Sequence, residues 1–328
     1  MMALLEAEQL VSVFPTQGEP VRAVDGVDLH IDEGETVCLV GESGCGKSAF
    51  ALSAMGLMPS GRDAHPNGRL HFDGEDVLKW DEQRWCAIRG RDIGMIFQEP
   101  MTSLNPVIRV GTQLMEPLLI HGLANRTDAR RQAIEALARV GIPQPDRMLE
   151  RYPHELSGGM RQRVMIAIAT ICRPRLLIAD EPTTALDVTV EAQILELLAD
   201  LKQQHGMAML FITHDLGVVA ELADRVYVMY AGQIVESGTL AQVFDQPGHP
   251  YTQGLLRSMP RRHQRGRRLY TIPGTVPPPH QRPSGCRFAP RCPYADAACE
   301  QPVTLRDLAA GHTVRCVHPD RARSQQDE

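Results

Sequence analysis

The stretch TVCLVGESGCGKS, which ends at Ser48, constrains this chain more than any other. Residues 37–40 form an apolar run that is short enough to be a buried parallel strand. The run breaks at Gly41, and a helix-forming segment begins near Lys47. This order predicts a strand, a glycine loop and the start of a helix, which is an α/β arrangement.

The glycine loop has the chemistry of a phosphate site. Its glycines let the backbone approach a ligand closely, so amide N–H groups can surround an anion beside the positive end of the helix dipole. Lys47 supplies a charge for the β- and γ-phosphates, and Ser48 supplies a hydroxyl for Mg²⁺. The pattern arises by accident in roughly one such chain in a hundred, so an ordinary glycine turn is the weaker interpretation. The residues expected to bind a nucleoside triphosphate are Gly41, Glu42, Ser43, Gly44, Cys45, Gly46, Lys47, Ser48 and Ala49.

Composition narrows the class of protein further. A chain of 328 residues with 43% hydrophobic content can form one large α/β domain with an appendage, or two domains. A net charge of −6 gives no overall attraction to nucleic acid. The first residues lack a basic, apolar leader, and no apolar run approaches the ~18 residues of a membrane span, so we expect a soluble cytoplasmic protein. Most of its eight cysteines are then expected to be reduced thiols.

Strands and helices alternate along the chain after an initial pair of strands. Phe14 closes the first strand, where its ring either stacks on an adenine base or packs in the core. A turn-rich segment, 15–20, predicts that the first two strands are antiparallel. Strands are predicted at 4–14, 24–31, 69–72, 92–97, 175–180, 207–213, 225–230 and 233–236, and helices at 48–58, 111–120, 127–140, 158–171, 190–203 and 240–244.

A helical insert interrupts the α/β pattern between residues 110 and 140. Beyond it, Ser157 is a good N-cap for the next helix, and Gly158 and Gly159 leave the first amide groups of that helix uncovered. Such a helix start can hold a phosphate.

Polar side chains follow three predicted strands. Gln98 comes after one strand, Asp180 and Glu181 end another, and His214 follows a third. A strand ending in two acids is a weak signal, and a lone histidine is usually structural. If the sheet is parallel, however, the two acids and His214 converge with the glycine loop at one crevice, and Gln98 lies at the kind of strand end where ligands bind. Asp180 can then hold Mg²⁺ and Glu181 can deprotonate an attacking water.

These segments, taken in order, resemble a known family. GESGCGKS at 41–48, Gln98, LSGGMRQR at 156–163, LLIADE at 176–181, Ala185-Leu186-Asp187 and His214 resemble the ATP-binding subunit of ABC transporters across residues 1–245. The resemblance implies an ABC-type P-loop ATPase with a RecA-like core, an antiparallel β subdomain and a helical subdomain at about 100–165. The cassette would span 1–258, and a small cysteine-rich extension would span 259–328.

The resemblance also assigns roles. Residues 41–48 correspond to the Walker A loop, and Gln98 corresponds to the Q-loop glutamine, which with Ser48 and Asp180 would hold Mg²⁺. Glu181 corresponds to the catalytic base, Asp187 to the D-loop acid, and His214 to the switch histidine on the γ-phosphate. The signature motif would be Leu156, Ser157, Gly158, Gly159 and Met160, which in this family closes over nucleotide on a second cassette.

Two positions depart from the family's usual pattern. Met160 stands where glutamine is commoner, and we expect this to be tolerated because Ser157 and the glycine amides supply the phosphate contacts. The adenine-stacking aromatic is Phe14 if 15–20 is a loop insertion, and Val21 is the alternative.

Three further segments point to a sub-type. GMIFQEPMTSLNP at 94–106, HPYTQGLL at 249–256 and GCRFAPRCPYA at 285–295 resemble the dipeptide and oligopeptide importers. In these, two different ATPase subunits work under two permeases fed by a substrate-binding protein, at the cytoplasmic face of the inner membrane. Nickel and glutathione importers share the sub-type. The segment 99–105, together with the helical insert, is expected to receive a permease coupling helix.

Other functional classes fit less well. A soluble ABC ATPase of DNA maintenance or translation predicts a long coiled-coil insertion or two cassettes, and a P-loop kinase or GTPase lacks a signature motif. The arginine-rich run 261–268 reads as a solvated linker rather than a nucleic-acid patch, with anionic lipid as another contact. No nucleic-acid partner is expected.

Four cysteines cluster in a proline-rich tail. Cys286, Cys292, Cys299 and Cys316 lie in a segment that is too poor in apolar residues to fold by burial alone, so a metal is expected. Their spacing leaves tetrahedral zinc and an iron–sulfur cluster open. The resemblance to peptide-importer ATPases that carry a [4Fe–4S] cluster favours the cluster, with Zn²⁺ as the alternative and unligated thiols as the third reading.

Overall fold

The computed structural model describes residues 3–15, 20–59, 67–99, 103–184, 186–259 and 270–323. Its strands are β1 (Leu5–Phe14), β2 (Val21–Ile31), β3 (Thr36–Val40), β4 (Asn67–Phe72), β5 (Glu75–Asp76), β6 (Ile93–Ile96), β7 (Leu176–Asp180), β8 (Ala208–Thr213), β9 (Arg225–Tyr230), β10 (Gln233–Thr239), β11 (Arg306–Ala309) and β12 (His312–Val314).

Helices follow the expected alternation with the strands. They are α1 (Lys47–Ala54), α2 (Glu82–Ile88), α3 (Val110–Ile120), α4 (Arg126–Arg139), α5 (Pro145–Met148), α6 (Gly158–Thr170), α7 (Val188–His205), α8 (Leu216–Leu222), α9 (Leu240–Asp245), α10 (Pro250–Ser258) and α11 (Pro319–Arg323). Within the described ranges, no helix is both long and apolar enough to cross a membrane.

The chain divides into two compact units. The strand-rich unit comprises Met2–Ile31, Thr36–Leu78 and Ile212–Glu328, and the helix-rich unit comprises Asp32–Glu35 and Lys79–Phe211.

The strand-rich unit holds an antiparallel sheet in the order β2-β1-β4-β5. β1 and β2 pair from Leu5 with Ile31 to Phe14 with Val21, which confirms the predicted hairpin. A second set of strands runs β11-β12-β10-β9-β3, in which β3 is parallel to β9 and every residue of β3 is buried. An all-buried strand is what a parallel pairing covered on both faces requires.

The helix-rich unit places β7 between β6 and the part of β8 that belongs to this unit. β6 and β7 are parallel, with Ile93 opposite Leu176, and both are buried along their length. The predicted helical insert is confirmed by α3 and α4, which pack on each other and on α6. Their buried faces carry Leu114, Leu118 and Leu137, at the helical spacing that indicated the insert.

The prediction that the helix after the glycine loop reaches residue 58 is wrong. α1 ends at Ala54, because Gly56 takes a positive φ of 60° and the N–H of Leu57 bonds back to the carbonyl of Leu52 at 2.8 Å. Glycine is the residue that adopts this closing conformation without strain. Gly56 therefore ends the helix upstream of Pro59, the residue that would otherwise stop it.

The segment after residue 258 contributes β11 and β12 to the strand-rich unit, and β12 pairs with β10 through Ser237 and Thr313. Neither strand is predicted from the sequence pattern. The division into a cassette at 1–258 and an extension at 259–328 stays a prediction.

Candidate nucleotide site

The phosphate loop lies between β3 and α1 in the strand-rich unit. Gly46 has a φ of 115°, and a Cβ atom on it would lie 2.4 Å from the carbonyl oxygen of Ala23. Gly44, with a φ of 78°, faces open space. A side chain is therefore excluded at Gly46 by contact and disfavoured at Gly44 by backbone strain. The predicted strand, loop and helix start are confirmed here.

Lys47 opens α1 and is only 4% exposed. Its ammonium donates to the carbonyl oxygens of Gly41 at 2.8 Å and Glu42 at 3.3 Å, so the charge is held over the loop. The N-cap of α1 is Gly46, and no side chain of the described residues caps this helix. The loop thus combines a lysine charge with a helix start that carries no side-chain acceptor, which suits a polyphosphate.

The predicted base, Glu181, lies next to Gln98 in the helix-rich unit. The Nε2 of Gln98 donates to the Glu181 carboxylate at 3.1 Å, and the hydroxyl of Thr184 donates to the same oxygen at 2.9 Å. Glu181 has a positive φ of 46°, a costly conformation for a residue with a side chain. Asp180 ends β7 and is 4% exposed. The contact from Thr184 is not predicted by any of the sequence motifs.

The signature segment begins α6 in the same unit. Ser157 is the N-cap, as predicted, and its hydroxyl accepts from the N–H of Met160 at 3.4 Å. Leu156 is buried, whereas Gly158 faces open space. Gln162, which is 2% exposed, donates to the carbonyl of Pro182 at 2.5 Å and so ties the helix to the residue after Glu181.

The remaining motif residues occupy element ends. Asp187 is the N-cap of α7, and its carboxylate accepts from the N–H groups of Thr189 and Val190 at 3.1 and 3.0 Å. His214 follows β8 and is exposed. His214 and the phosphate loop belong to the strand-rich unit, whereas Gln98, Asp180, Glu181, Asp187 and the signature segment belong to the helix-rich unit.

A cleft of about 740 Å³ lies in the strand-rich unit beside the start of β2. Its walls include Val21 and Arg22 on one side and His280 and Arg282 on the other. Phe14, half-buried at the end of β1, is not among its lining residues. The assignment of Phe14 as the adenine-stacking residue stays a prediction, and Val21 is the candidate that faces a cleft.

The four tail cysteines line a single small cavity, together with His249 and Phe288. None of the eight cysteines, all of which lie in the described residues, forms a disulfide. Burial raises the pKa of Cys292 to about 11 and that of Cys316 to about 12. His249 is buried, and its Nε2 has no hydrogen-bond partner among the described residues. The cavity therefore gathers four sulfur atoms and one unsatisfied imidazole nitrogen.

A second group of possible metal ligands lies at the edge of this cavity. Ligand atoms of Asp296, Cys299 and His318 lie within 4.8 Å of one another. Asp296 already pairs with His318 at 2.8 Å and Arg321 at 3.0 Å. The hydrogen bond with His318, above all, lowers the pKa of Asp296 to about 2.

Comparisons with known proteins agree with this set of motifs. Residues 24–184 match the family model described as ABC transporter, and residues 235–299 match the model described as oligopeptide/dipeptide transporter, C-terminal region. The chain is 52% identical to the oligopeptide transport ATP-binding protein AppD of Bacillus subtilis, over 96% of this chain and 97% of that protein. It is 50% identical to the dipeptide transport ATP-binding protein DppD of Escherichia coli, over 97% of both.

Solved structures share the fold. The dimeric ATP-binding cassette MJ0796 bound to ADP and Pi matches with a TM-score of 0.64 and 28% identity, over 72% of this chain and 98% of that one. The cbiO1 subunit from Clostridium perfringens matches with a TM-score of 0.62 and 26% identity, over 75% and 92%. Relatives of matched length and half-identical sequence, a matching family model and the cassette fold lead to one conclusion: the chain belongs to the ABC transporter family, as an ATP-binding protein of the oligopeptide and dipeptide transporter group.

Proposed function

We propose that this chain is the ATP-hydrolysing subunit of an importer that takes up dipeptides or oligopeptides through two membrane permease subunits. The observation that carries the proposal is the half-identical sequence shared, end to end, with ATP-binding proteins named for oligopeptide and dipeptide transport. A nickel or glutathione importer of the same sub-type is the alternative. Competition among labelled dipeptide, labelled tripeptide, nickel and glutathione for ATP-dependent uptake in membrane vesicles tests the substrate class directly.

The motif residues divide the chemistry of hydrolysis among them. The loop amides and Lys47 would bind the phosphates, and His214 would contact the γ-phosphate. Mg²⁺, which neutralises charge on the phosphates, would be held through Ser48, Gln98 and Asp180. Glu181 would orient and deprotonate the attacking water. The hydrogen bond from Gln98 to Glu181 supports this assignment, because it fixes the carboxylate beside a proposed metal-binding amide.

The active assembly would contain a second, homologous ATPase subunit. In the resembling family the signature of one cassette completes the nucleotide site of another, and the solved relative MJ0796 is a dimer. A heterodimer with a different ATPase fits the peptide-importer sub-type, and a homodimer is the alternative. Co-purification from cells that express tagged and untagged copies of this chain distinguishes the two. In a heterodimer the tagged copy brings down a second, different ATPase, whereas in a homodimer it brings down the untagged copy.

The permease contact would lie on the helix-rich unit. Exposed apolar side chains there include Val107, Ile120 and Leu123, which are 79%, 70% and 48% exposed. Three of the seven residues of the predicted receiving segment 99–105, those at 100–102, lie outside the described residues, whereas Ser103 and Leu104 are described. A cysteine placed at Ser103 should cross-link to the permeases. No cross-link in an otherwise intact complex would contradict this docking site.

Peripheral association with the cytoplasmic face of the inner membrane follows from the permease contact. The substrate-binding protein would then meet the permeases on the other side and would not touch this chain. Fractionation tests the point: the chain should sediment with membranes when the permeases are present and remain in the supernatant when they are deleted.

The tail cysteines would hold a [4Fe–4S] cluster. In a tetrahedral zinc site with bonds of about 2.3 Å, the sulfur atoms lie about 3.8 Å apart. Across the described part of the chain, which includes all four cysteines, no three of their sulfur atoms come within 4.8 Å of one another. Four cysteine sulfur atoms around one cavity are the ligand set that a [4Fe–4S] cluster would need.

The surroundings of the cysteines also fit a cluster. The unsatisfied Nε2 of the buried His249 is of the kind that hydrogen-bonds to cluster sulfur atoms, a contact that stabilises such centres. The alternative is zinc, at the four cysteines or at Asp296, Cys299 and His318. Metal analysis of anaerobically purified protein decides between them, because a cluster gives iron with acid-labile sulfide and the alternative gives zinc with none.

A further inference from the structure

Glu42, the second residue of the phosphate loop, is held by a residue from the far end of the chain. Arg291 donates from Nη1 to one carboxylate oxygen of Glu42 at 2.6 Å and from Nη2 to the other at 3.0 Å. Both residues belong to the strand-rich unit. Two parallel hydrogen bonds of this kind fix the orientation as well as the distance of a carboxylate.

Arg291 is itself fixed by a pocket built for a guanidinium. Its side chain is 4% exposed, its Nε donates to the carbonyl of Pro273 at 2.8 Å, and its Nη1 donates to the hydroxyl of Tyr230 at 3.3 Å. Its guanidinium carbon lies 5.7 Å from the ring centre of Tyr230 and 5.9 Å from that of Phe288. Burial lowers the pKa of Arg291, but the hydrogen bonds that it donates to Glu42 and Tyr230 more than offset this and leave the pKa raised. Arg291 is therefore a permanent, oriented cation beside the loop.

A second residue holds the backbone of Glu42. The N–H of Glu42 donates to the hydroxyl oxygen of Tyr251 at 2.8 Å. Tyr251 is fully buried, and its ring packs against Tyr230 and Phe288 with centroid distances of 4.7 and 5.4 Å. It belongs to HPYTQGLL at 249–256, a segment that marks the transporter sub-type but has no part in the nucleotide motifs.

Fixing Glu42 fixes the rest of the loop, because its carbonyl oxygen is shared. That oxygen accepts from the N–H of Cys45 at 3.3 Å and from the ammonium of Lys47, also at 3.3 Å. A rotation of Glu42 would therefore move an amide of the loop and the lysine that carries its charge. We propose that Tyr251 and Arg291 are positioning residues for the phosphate loop and act on nucleotide binding through Glu42.

The consequence for ATP binding follows from preorganisation. A loop whose amides are already oriented does not have to be ordered when the phosphates arrive, so binding loses less entropy. This gain in binding free energy is the same for bound ATP and for the transition state of hydrolysis. Loss of the contacts that Tyr251 and Arg291 make with Glu42 should raise KM for ATP and leave kcat nearly unchanged. The inference rests on ATP binding at the loop and does not depend on which substrate is transported.

The test compares variants of the full-length chain in binding of MgATP and of a fluorescent ATP analogue. Arg291→Met should weaken binding about tenfold, because the charged fork is lost. Arg291→Lys keeps the charge but loses the paired hydrogen bonds of the guanidinium, and it should weaken ATP binding by about threefold. It serves as the second variant if Arg291→Met misfolds. Tyr251→Phe, which removes only the hydroxyl, should weaken binding by about threefold.

Arg315→Met is the matched control. Arg315 is a half-buried arginine of the same C-terminal segment, and it donates to the backbone carbonyls of Ile234 and Val303, far from the loop in sequence. Its replacement should lower the melting temperature as Arg291→Met does and leave the Kd for MgATP unchanged.

A double-mutant cycle isolates the contact itself. Glu42→Gln combined with Arg291→Met should bind ATP about as well as the worse single variant, because both changes remove one interaction. The proposal is overturned if Arg291→Met lowers the melting temperature while its Kd stays within about twofold of the wild type. It is equally overturned if the two changes are additive in the free energy of binding.

Discussion

Gln98 and Glu181 are hydrogen-bonded at 3.1 Å although 83 residues separate them in the chain. Each follows a strand of the same parallel pair, Gln98 after β6 and Glu181 directly after β7. Parallel neighbours end at the same edge, so polar residues that follow them meet there. Thr184 adds a second donor to Glu181, at 2.9 Å. The carboxylate thus has a fixed orientation, which a general base requires.

Replacement of Glu181 by glutamine should abolish turnover without abolishing binding. The amide keeps the shape of the side chain but cannot accept the proton of the attacking water, so we expect kcat to fall by about 10² to 10⁴. ATP turnover and nucleotide affinity, measured on the same preparation, check this. Lys47→Ala is the contrasting variant and should weaken nucleotide binding itself. Unchanged turnover in the Glu181→Gln complex would remove Glu181 from the role of base.

Gln98→Ala should slow hydrolysis by about tenfold, because Glu181 loses a donor and the proposed metal loses a ligand. Gln113→Ala is a matched control in the same unit, since the Gln113 side chain bonds, among the described residues, to the backbone of Asn105 and Ile108. Titration of Mg²⁺ separates the two causes: a raised Mg²⁺ requirement points to metal binding, and a lowered kcat at saturating Mg²⁺ points to Glu181. A Gln98→Ala variant with the same Mg²⁺ requirement and the same kcat as Gln113→Ala would contradict the prediction.

Glu236→Ala should destabilise the strand-rich unit by about 3 to 5 kcal/mol. Glu236 is fully buried and accepts from the N–H groups of Gly248 and His249 at 2.6 and 2.9 Å and from the ring of His312 at 2.8 Å. Without the carboxylate these buried donors lose their partner. Denaturant unfolding measures the loss. The exposed Glu221, changed to alanine, should shift stability by no more than about 0.5 kcal/mol.

Cys292→Ser should remove the brown colour expected of the anaerobically purified protein, whose iron and sulfide should each be about four per chain. It should also make the C-terminal segment more sensitive to protease and weaken ATP binding. The reason is that Phe288 lines the cysteine cavity and also packs against Tyr251 and Arg291. Cys86→Ser, at an exposed site, is the control. Stoichiometric zinc without sulfide would overturn the cluster and leave the ligands in place.

Local pattern was enough to predict the phosphate loop, the N-cap Ser157 and the strands that end near Gln98 and Glu181. Each depends on residues close together in sequence, whose periodicity and caps carry the information. The helix α2 escaped notice because only Trp85 and Ile88 of its short span are buried, which leaves little periodicity to read.

The contacts of Tyr251 and Arg291 with Glu42 could not be predicted from the sequence pattern. Tyr251 and Arg291 lie 209 and 249 residues from Glu42, and neither sits in a nucleotide motif. Their contact depends on the tail packing against Tyr230, a tertiary event that no local spacing encodes. The pairing of β12 with β10 also joins segments that are far apart in sequence. In addition, β12 has only three residues, which is too few to show a strand pattern.

Peptide uptake by the reconstituted transporter tests the central claim most directly. Vesicles that contain this chain, the second ATPase subunit, the permeases and the binding protein should accumulate a labelled dipeptide or oligopeptide only when MgATP is supplied. The same vesicles with Glu181→Gln should bind ATP and accumulate none. ATP-dependent accumulation of nickel or glutathione, with peptide neither transported nor able to compete, would contradict the account, as would undiminished peptide uptake by the Glu181→Gln transporter.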